Sequence, residues 1–266
     1  MNCLDALGFS ASAMAEKSDA RALGDAQVEK GAAPVLAAIG GGGKTTLLRA
    51  LADELREQGA RVVLATTTHF MPFDGVETVS SGDMGELARV LERDGMACVA
   101  APAAGRAGAA GKLGPSPLSI AQLHEVADVA LIEADGSKRL PLKLHAEHEP
   151  VVPAGSARVV YVLGASGFGQ PLARACHRAE LASERLGICG EETATPELAA
   201  CLLADEIARG IVAPTHVIVN QVEDKVAREQ AQAFAAELQR LGVALPVFAG
   251  SIREHELERV AGPLDK

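Results

Sequence analysis

Val35-Leu-Ala-Ala-Ile-Gly-Gly-Gly-Gly-Lys-Thr-Thr-Leu-Leu48 decides the fold. An apolar run breaks into four consecutive glycines and re-enters a helical pattern at Lys44-Thr45-Thr46, with Leu47, Leu48, Leu51 and Leu55 on one face. Glycines let successive backbone N–H groups converge on an anion at a helix N-terminus. In such a setting Lys44 reaches the β- and γ-phosphates of a nucleotide, and the Thr45 hydroxyl holds Mg2+. Gly40, Gly41, Gly42, Gly43, Lys44, Thr45 and Thr46 are the expected phosphate cradle, with ATP or GTP as the ligand. In the pattern G-x-x-x-x-G-K-[ST] the first glycine falls on Ala38, so the added glycines are expected to supply the flexibility instead.

Working outward, the helix from Thr45 to about Gln58 closes at Gly59, and Arg61–Thr66 follows as a second buried strand, completing a βαβ unit. Further strands are expected at Met96–Ala101, Asp128–Ala134, Arg158–Leu163, His216–Asn220 and Pro246–Ala249, the last closing the sheet. Helices are expected over Asp83–Arg93, Ala175–Arg185, Pro196–Arg209 and Lys225–Leu241. Pro102–Pro117 reads as a surface loop and Asp135–Pro153 as a polar run. This alternation predicts an α/β fold: a doubly wound, mostly parallel sheet of the P-loop NTPase-like kind with helices on both faces. Residues 34–266 are expected to form one domain, and the Ala/Ser/Gly-rich residues 1–33 a flexible N-terminal arm.

Composition narrows the partners. Of 266 residues 48% are hydrophobic, yet there is no Trp and a single Tyr, so the core must be built from Ala, Val, Leu and Ile. A net charge of −10 lacks the basic footprint that a phosphate backbone requires, which argues against nucleic acid. Five cysteines without a C-x-x-C pair fit reduced thiols. With no apolar run of membrane-spanning length and no leader pattern at the N-terminus, a soluble cytoplasmic protein without a membrane partner is expected.

In a doubly wound sheet the ligand lies beyond the carboxyl ends of the strands, and three of those ends are polar. The strand ending in Glu133-Ala134-Asp135 places Asp135 as a water-mediated partner of Mg2+ and Glu133 to polarise a water or a substrate hydroxyl. The expected catalytic residues are Lys44, Glu133 and Asp135, and the metal ligands Thr45 and Asp135. Thr66 to Thr68 can offer hydroxyls to a γ-phosphate or to the metal shell, and His69 can meet substrate. Asn220-Gln221-Val222-Glu223 resembles a purine-reading N-K-x-D element with Gln221 in the lysine's place; equally, Asn220 can cap a strand end. Glu147-His148-Glu149-Pro150, preceded by Lys138, Arg139, Lys143 and His145, has metal-ligand residue types but no regular element to fix them, so it reads as a substrate-facing segment. Lys138 and Arg178 can hold an anionic group or make exposed ion pairs.

Taken together, Ile39-Gly-Gly-Gly-Gly-Lys-Thr-Thr46, Thr66-Thr-Thr-His69, Glu133-Ala-Asp-Gly-Ser-Lys138, Glu147-His-Glu-Pro150, His177-Arg178 and Asn220-Gln221 resemble the YqeC family from about residue 33 to 252. That resemblance implies an accessory role in selenium cofactor biosynthesis for selenium-dependent molybdenum hydroxylases, with such a hydroxylase or its maturation proteins as partners. It also implies the P-loop class that holds the MinD-like ATPases and metallochaperone GTPases. Ile39 stands where the MinD-like members carry an extra lysine, so their dimer-dependent mechanism is not implied. Three functions are weighed: NTP hydrolysis or phosphoryl transfer, a nucleotide-gated module for a cofactor intermediate, and a small-molecule kinase.

Overall fold

The computed structural model describes residues 1–9, 34–103 and 111–263. Eleven strands occur among them: β1 (Val35–Gly40), β2 (Val62–Thr66), β3 (Thr78–Val79), β4 (Met96–Val99), β5 (Val129–Glu133), β6 (Leu142–Lys143), β7 (Arg158–Gly164), β8 (Cys176–His177), β9 (His216–Asn220), β10 (Val247–Ser251) and β11 (Glu256–Ala261). Nine form one sheet in the order β11-β10-β9-β7-β1-β5-β2-β4-β3, and β6 pairs with β8 in a separate ribbon. Every pairing in the large sheet is parallel except β10 with β11.

Helices lie on both faces because β1, β2, β5 and β9 are buried along their whole length. On one face Leu36, Leu64, Leu131 and Val162 pack against Leu47, Leu48, Leu51 and Leu55 of the helix Lys44–Glu57. On the other, Ile39, Leu163 and Val219 meet Leu203 and Phe234 of the helices Pro196–Ala208 and Lys225–Arg240. Toward β3 that same face is covered by the helices Met84–Asp94 and Ile120–Val126. This is the doubly wound, P-loop NTPase-like α/β fold.

Register aligns the chemistry. Ala38 pairs with Glu133, Thr66 with Glu133, Gly40 with Val162 and Gly164 with Asn220, so the carboxyl ends of five strands form one row.

Four expectations need correction. Pro246–Ala249 does not close the sheet, because β11 pairs beyond it; Glu256, Glu258 and Arg259 hide this half-exposed edge strand from a hydrophobic pattern. The helix expected at Ala175–Arg185 is interrupted, since Cys176–His177 pairs with Leu142–Lys143 and the helix begins only at Glu180. For the same reason Asp135–Pro153 is not simply a solvated run: Lys143 and His145 are among the most buried side chains. Finally, the start of the expected arm is built into the core. The helix Cys3–Leu7 buries Cys3, Leu4, Ala6 and Leu7 against the Lys44–Glu57 helix. The remainder of that stretch, 10–33, lies outside the described residues, as do 104–110 of the expected loop.

Candidate functional site

The glycine loop follows β1 and enters the helix Lys44–Glu57 with Gly43 as its N-cap. Its glycines serve space more than flexibility. A side chain on Gly42 would collide with the backbone of Gly164, and one on Gly43 with the Asn220 amide; both residues also hold positive φ, 65° and 134°. The loop amides divide into two groups. Gly40 N–H donates to Asp135 (2.8 Å), Gly41 N–H to Val162 O (2.8 Å) and Gly42 N–H to Leu140 O (3.1 Å). The N–H groups of Gly43, Lys44, Thr45 and Thr46 have no acceptor among the described residues. The anion-binding part of the cradle is therefore its second half, at the helix N-terminus.

Around it lie two carboxylates with different surroundings. Thr45 Oγ1 donates to Glu133 Oε2 at 2.7 Å. Burial pushes the Glu133 carboxyl up, opposed by the Lys44 ammonium and the Thr45 hydroxyl. Asp135, with no exposed surface, accepts from Gly40 N–H through Oδ2, which also meets His145 Nε2 (2.6 Å), while Oδ1 is paired with the Lys44 ammonium (2.9 Å) and Lys143 Nζ lies 3.6 Å from Oδ2. Burial alone would raise its carboxyl, but Lys44, His145 and Lys143 together hold it well below the usual carboxylate range. Asp135 thus stands next to the loop and Lys44, while Thr45 is met by Glu133. Oδ2 of Asp135 is engaged beneath the loop by Gly40 and His145, Oδ1 is buried with only the Lys44 ammonium beside it, and Glu133 is the carboxylate in contact with the threonine hydroxyl.

Behind Asp135 runs a buried network that the sequence reading did not anticipate. His145 Nδ1 meets Glu206 Oε2 at 2.8 Å, and its backbone N–H donates to Glu206 Oε1 at 2.6 Å. Arg185 donates to both Glu206 (3.1 Å) and the His145 carbonyl. Both ring nitrogens of His145 face a carboxylate oxygen, a setting that favours the protonated ring. Burial would lower its pKa, yet the hydrogen bonds to Asp135 and Glu206 raise it. The quoted string Glu147-His-Glu-Pro lay two residues away, but nothing in the spacing pointed to Glu206, 61 residues downstream.

A second chain of charges leads outward. Lys143, also without exposed surface, donates to Gly136 O (2.6 Å) and pairs with Glu149 (3.0 Å), which in turn receives Arg178 (3.1 Å). Against the effect of burial, Arg178 and Lys143 lower the Glu149 carboxyl. His177, between Lys143, Lys138 and Arg178, is pushed down to about 4 by burial and by those cations, so it is neutral at pH 7. Of the expected substrate residues, Arg178 thus enters the network through Glu149. Thr68 packs its hydroxyl 3.4 Å from that of Thr66. The side chains of His69, Lys138 and His148 are exposed at the rim.

Asn220 is built into the loop's support. Its Nδ2 donates to Gly42 O (2.8 Å) and its Oδ1 accepts from Ile252 N–H (3.0 Å), so it clamps the glycine loop to the turn after β10. Gln221, with φ 64°, accepts from Ser166 Oγ at 2.6 Å. These bonds give Asn220 the capping role that a polar residue at a strand end can take. Asn220→Ala is expected to cost about 1–3 kcal/mol, because it leaves a buried carbonyl and a buried N–H unpaired, and to leave any preference between ATP and GTP unchanged. Urea unfolding and paired nucleotide titrations check the two halves.

The network also sets a pH signature. The raised pKa of His145 adds stability that is fully present below its unfolded value of about 6.5 and is lost as pH rises through the folded value. The depressed pKa of Asp135 adds stability present above about 3.9 and lost as pH falls toward its folded value. The stability difference between wild type and His145→Gln is therefore expected to be largest near pH 5 and to shrink above about pH 6.5. Denaturant unfolding across that range measures it; a difference that grows with pH would contradict the assignment.

A family model described as YqeC protein matches residues 36–180, more than half of the chain. The chain belongs to the YqeC family. The matched span holds the glycine loop, Glu133, Asp135, Lys143, His145 and Arg178, and stops before Glu206 and Asn220. The uncharacterized protein YqeC of Escherichia coli K12 is 35% identical over 136 residues, 51% of this chain and 53% of that protein. The chain therefore spans about half the length of this curated relative. Among solved structures, chloroplast FtsY from Physcomitrella patens is similar at 19% identity and TM-score 0.44, over 94% of this chain and 69% of that one. The hydrogenase maturation factor HypB from Archaeoglobus fulgidus is similar at 10% identity and TM-score 0.39, over 84% and 83%. The signal recognition particle 54 kDa protein from Aeropyrum pernix, solved with GDP, is similar at 14% identity and TM-score 0.39, over 94% and 48%. No helix among the described residues is long and apolar enough to cross a membrane.

Proposed function

We propose that this member of the YqeC family binds a nucleoside triphosphate with Mg2+ and hydrolyses it or transfers its terminal phosphoryl group. One observation carries the reading: four N–H groups at a helix N-terminus, without an acceptor among the described residues, sit beside the Lys44 ammonium and the Thr45–Glu133 pair. Lys44 donates to Gly40 O (2.6 Å) and is paired with Asp135 by charge (2.9 Å), which leaves donor capacity for a phosphate oxygen. Thr45 Oγ1 and Glu133 are hard oxygen donors of the kind Mg2+ takes, and so fit the ion. When bound, Mg2+ supplies charge neutralisation at the phosphates.

The chain's own contribution is positioning and electrostatics. The helix amides and Lys44 offset negative charge on the transferred group. Asp135, fixed by His145 and Lys143, holds Lys44 in register with the loop. Glu133, whose carboxyl burial pushes up and whose Oε2 is held by Thr45, can orient the attacking hydroxyl or water. A role as an accessory in selenium-dependent molybdenum hydroxylase maturation is the part of the proposal that rests on family membership, since no step of this chemistry leads to selenium. Action in the cytoplasm belongs to the same proposal.

Calorimetric titration with ATP and GTP, each with and without Mg2+, tests the reading. Equimolar binding of either nucleotide, tightened by Mg2+, is expected. Binding of neither overturns it.

A second reading, a nucleotide-gated module, is favoured by the unbroken charge chain Lys44–Asp135–Lys143–Glu149–Arg178. A phosphate that draws Lys44 away from Asp135 also changes the pull on Lys143 and the segments it anchors. Nucleotide-dependent capture of a partner with negligible turnover would select this reading over catalysis.

A further inference from the structure

Far from the glycine loop, three residue types that ligate transition metals meet from three distant parts of the chain. Cys3 lies on the N-terminal helix, Glu54 on the helix after the glycine loop, and His255 in the turn between β10 and β11. Cys3 Sγ, a Glu54 carboxylate oxygen and a His255 ring nitrogen all lie within 4.8 Å of one another, a grouping found once among the described residues. His255 Nδ1 is 2.6 Å from Glu54 Oε1. Ten helical residues separate Glu54 from Lys44, on the order of 15 Å, so this cluster is distinct from the nucleotide site.

A packing role explains part of the arrangement. Glu54 accepts the backbone N–H groups of Cys3 (3.1 Å) and Leu4 (2.8 Å), which satisfies the start of the short helix. That role needs neither a thiol nor an imidazole. Yet Cys3 is fully buried with its thiol on Glu54, and His255 adopts a left-handed backbone, φ 55°, that turns its ring onto the same carboxylate. Glu54 is itself buried and has no lysine or arginine partner among the described residues.

We propose that Cys3, Glu54 and His255 form a binding site for one borderline-soft divalent cation of the Zn2+ class. The donor set of sulfur, nitrogen and oxygen suits zinc and its neighbours, whereas Mg2+ prefers six oxygens. The cation takes the place of the Cys3 thiol proton, which leaves to solvent; thiolate, carboxylate and dication then sum to zero charge, as a buried site demands. Burial and the Glu54 carboxylate push the Cys3 thiol up to about 12, so metal uptake strengthens as pH rises. Zinc bonds of about 2.0–2.3 Å bring ligands to roughly 3.3–3.8 Å from one another, within reach of a small rotation of the His255 side chain. That side chain is 42% exposed, so the ion enters from its side and keeps a water there. Occupancy pins the N-terminal helix to the β10–β11 turn.

Titration of the full chain with Co2+, followed by absorbance, tests the site, because a thiolate-to-cobalt charge-transfer band identifies cysteine ligation. The band is expected to saturate at one equivalent, to vanish on adding Zn2+, and to be lost in Cys3→Ser but kept in Cys189→Ser, which alters the exposed cysteine. His255→Ala, a change at a solvent-facing turn, is expected to keep the fold and weaken Zn2+ binding at least about tenfold. Absence of the band at one equivalent, its survival in Cys3→Ser, or unchanged Zn2+ affinity in His255→Ala would each overturn the proposal. Nucleotide titration of the same samples stands apart from all three outcomes.

Discussion

Lys44→Ala is expected to lower Mg-nucleotide turnover by about 10²- to 10³-fold, the usual loss when one preorganised charge is removed from a developing oxyanion. The substitution removes the donor that points from the loop toward the phosphates, and leaves the amides of Gly43 to Thr46 in place. Residual nucleotide binding through those amides and the Thr45–Glu133 pair is therefore expected with turnover nearly abolished. Asp135 keeps His145 and Lys143 as counter-charges, so the far-ultraviolet circular dichroism should match wild type. Equal turnover by both proteins would take the loop out of the reaction.

Asp135→Ala should act mainly on stability, at about 3–5 kcal/mol, because it strands buried charge instead of merely deleting an attraction. Without that carboxylate, Lys44, Lys143 and the His145 ring face one another, and the Gly40 N–H loses its acceptor. Asp135→Asn should cost less, since an amide oxygen in the place of Oδ2 still accepts from Gly40 and faces His145 although the charge is gone. Urea unfolding of the three proteins at pH 6 measures the series. A loss below about 1 kcal/mol for the alanine variant would mean that the cluster relaxes into solvent and is not the rigid floor described above.

The sheet was legible in the sequence because its central strands are uniform apolar runs, and because the glycine loop has a strand before it and a helix after it. Elements that escaped notice are those whose cause lies elsewhere in the chain. β6 and β8 are two residues each and exist only because each pairs with the other. β11 is an edge whose outward charges mask its register. At the site, Lys44, Thr45 and the two acids were legible as a group, but the division of labour between Glu133 and Asp135 was not. That division depends on His145 and Glu206, whose meeting requires the third dimension. Asn220 drew attention for the right reason, a polar residue at a strand end, and its amide proved to be spent on Gly42 and Ile252.

The His145–Glu206 contact bears on modularity. The span matched by the family model ends at residue 180, yet the His145 ring that supports Asp135 meets a carboxylate from a helix beyond that limit, and β7 finds its other neighbour in β9. The stretch that marks the lineage is thus not an autonomous folding unit. A swap that grafts residues 36–180 onto a foreign C-terminal half would have to import Glu206, Arg185 and the loop's Asn220 clamp along with it. Inheritance and cooperativity are drawn along different borders in this protein.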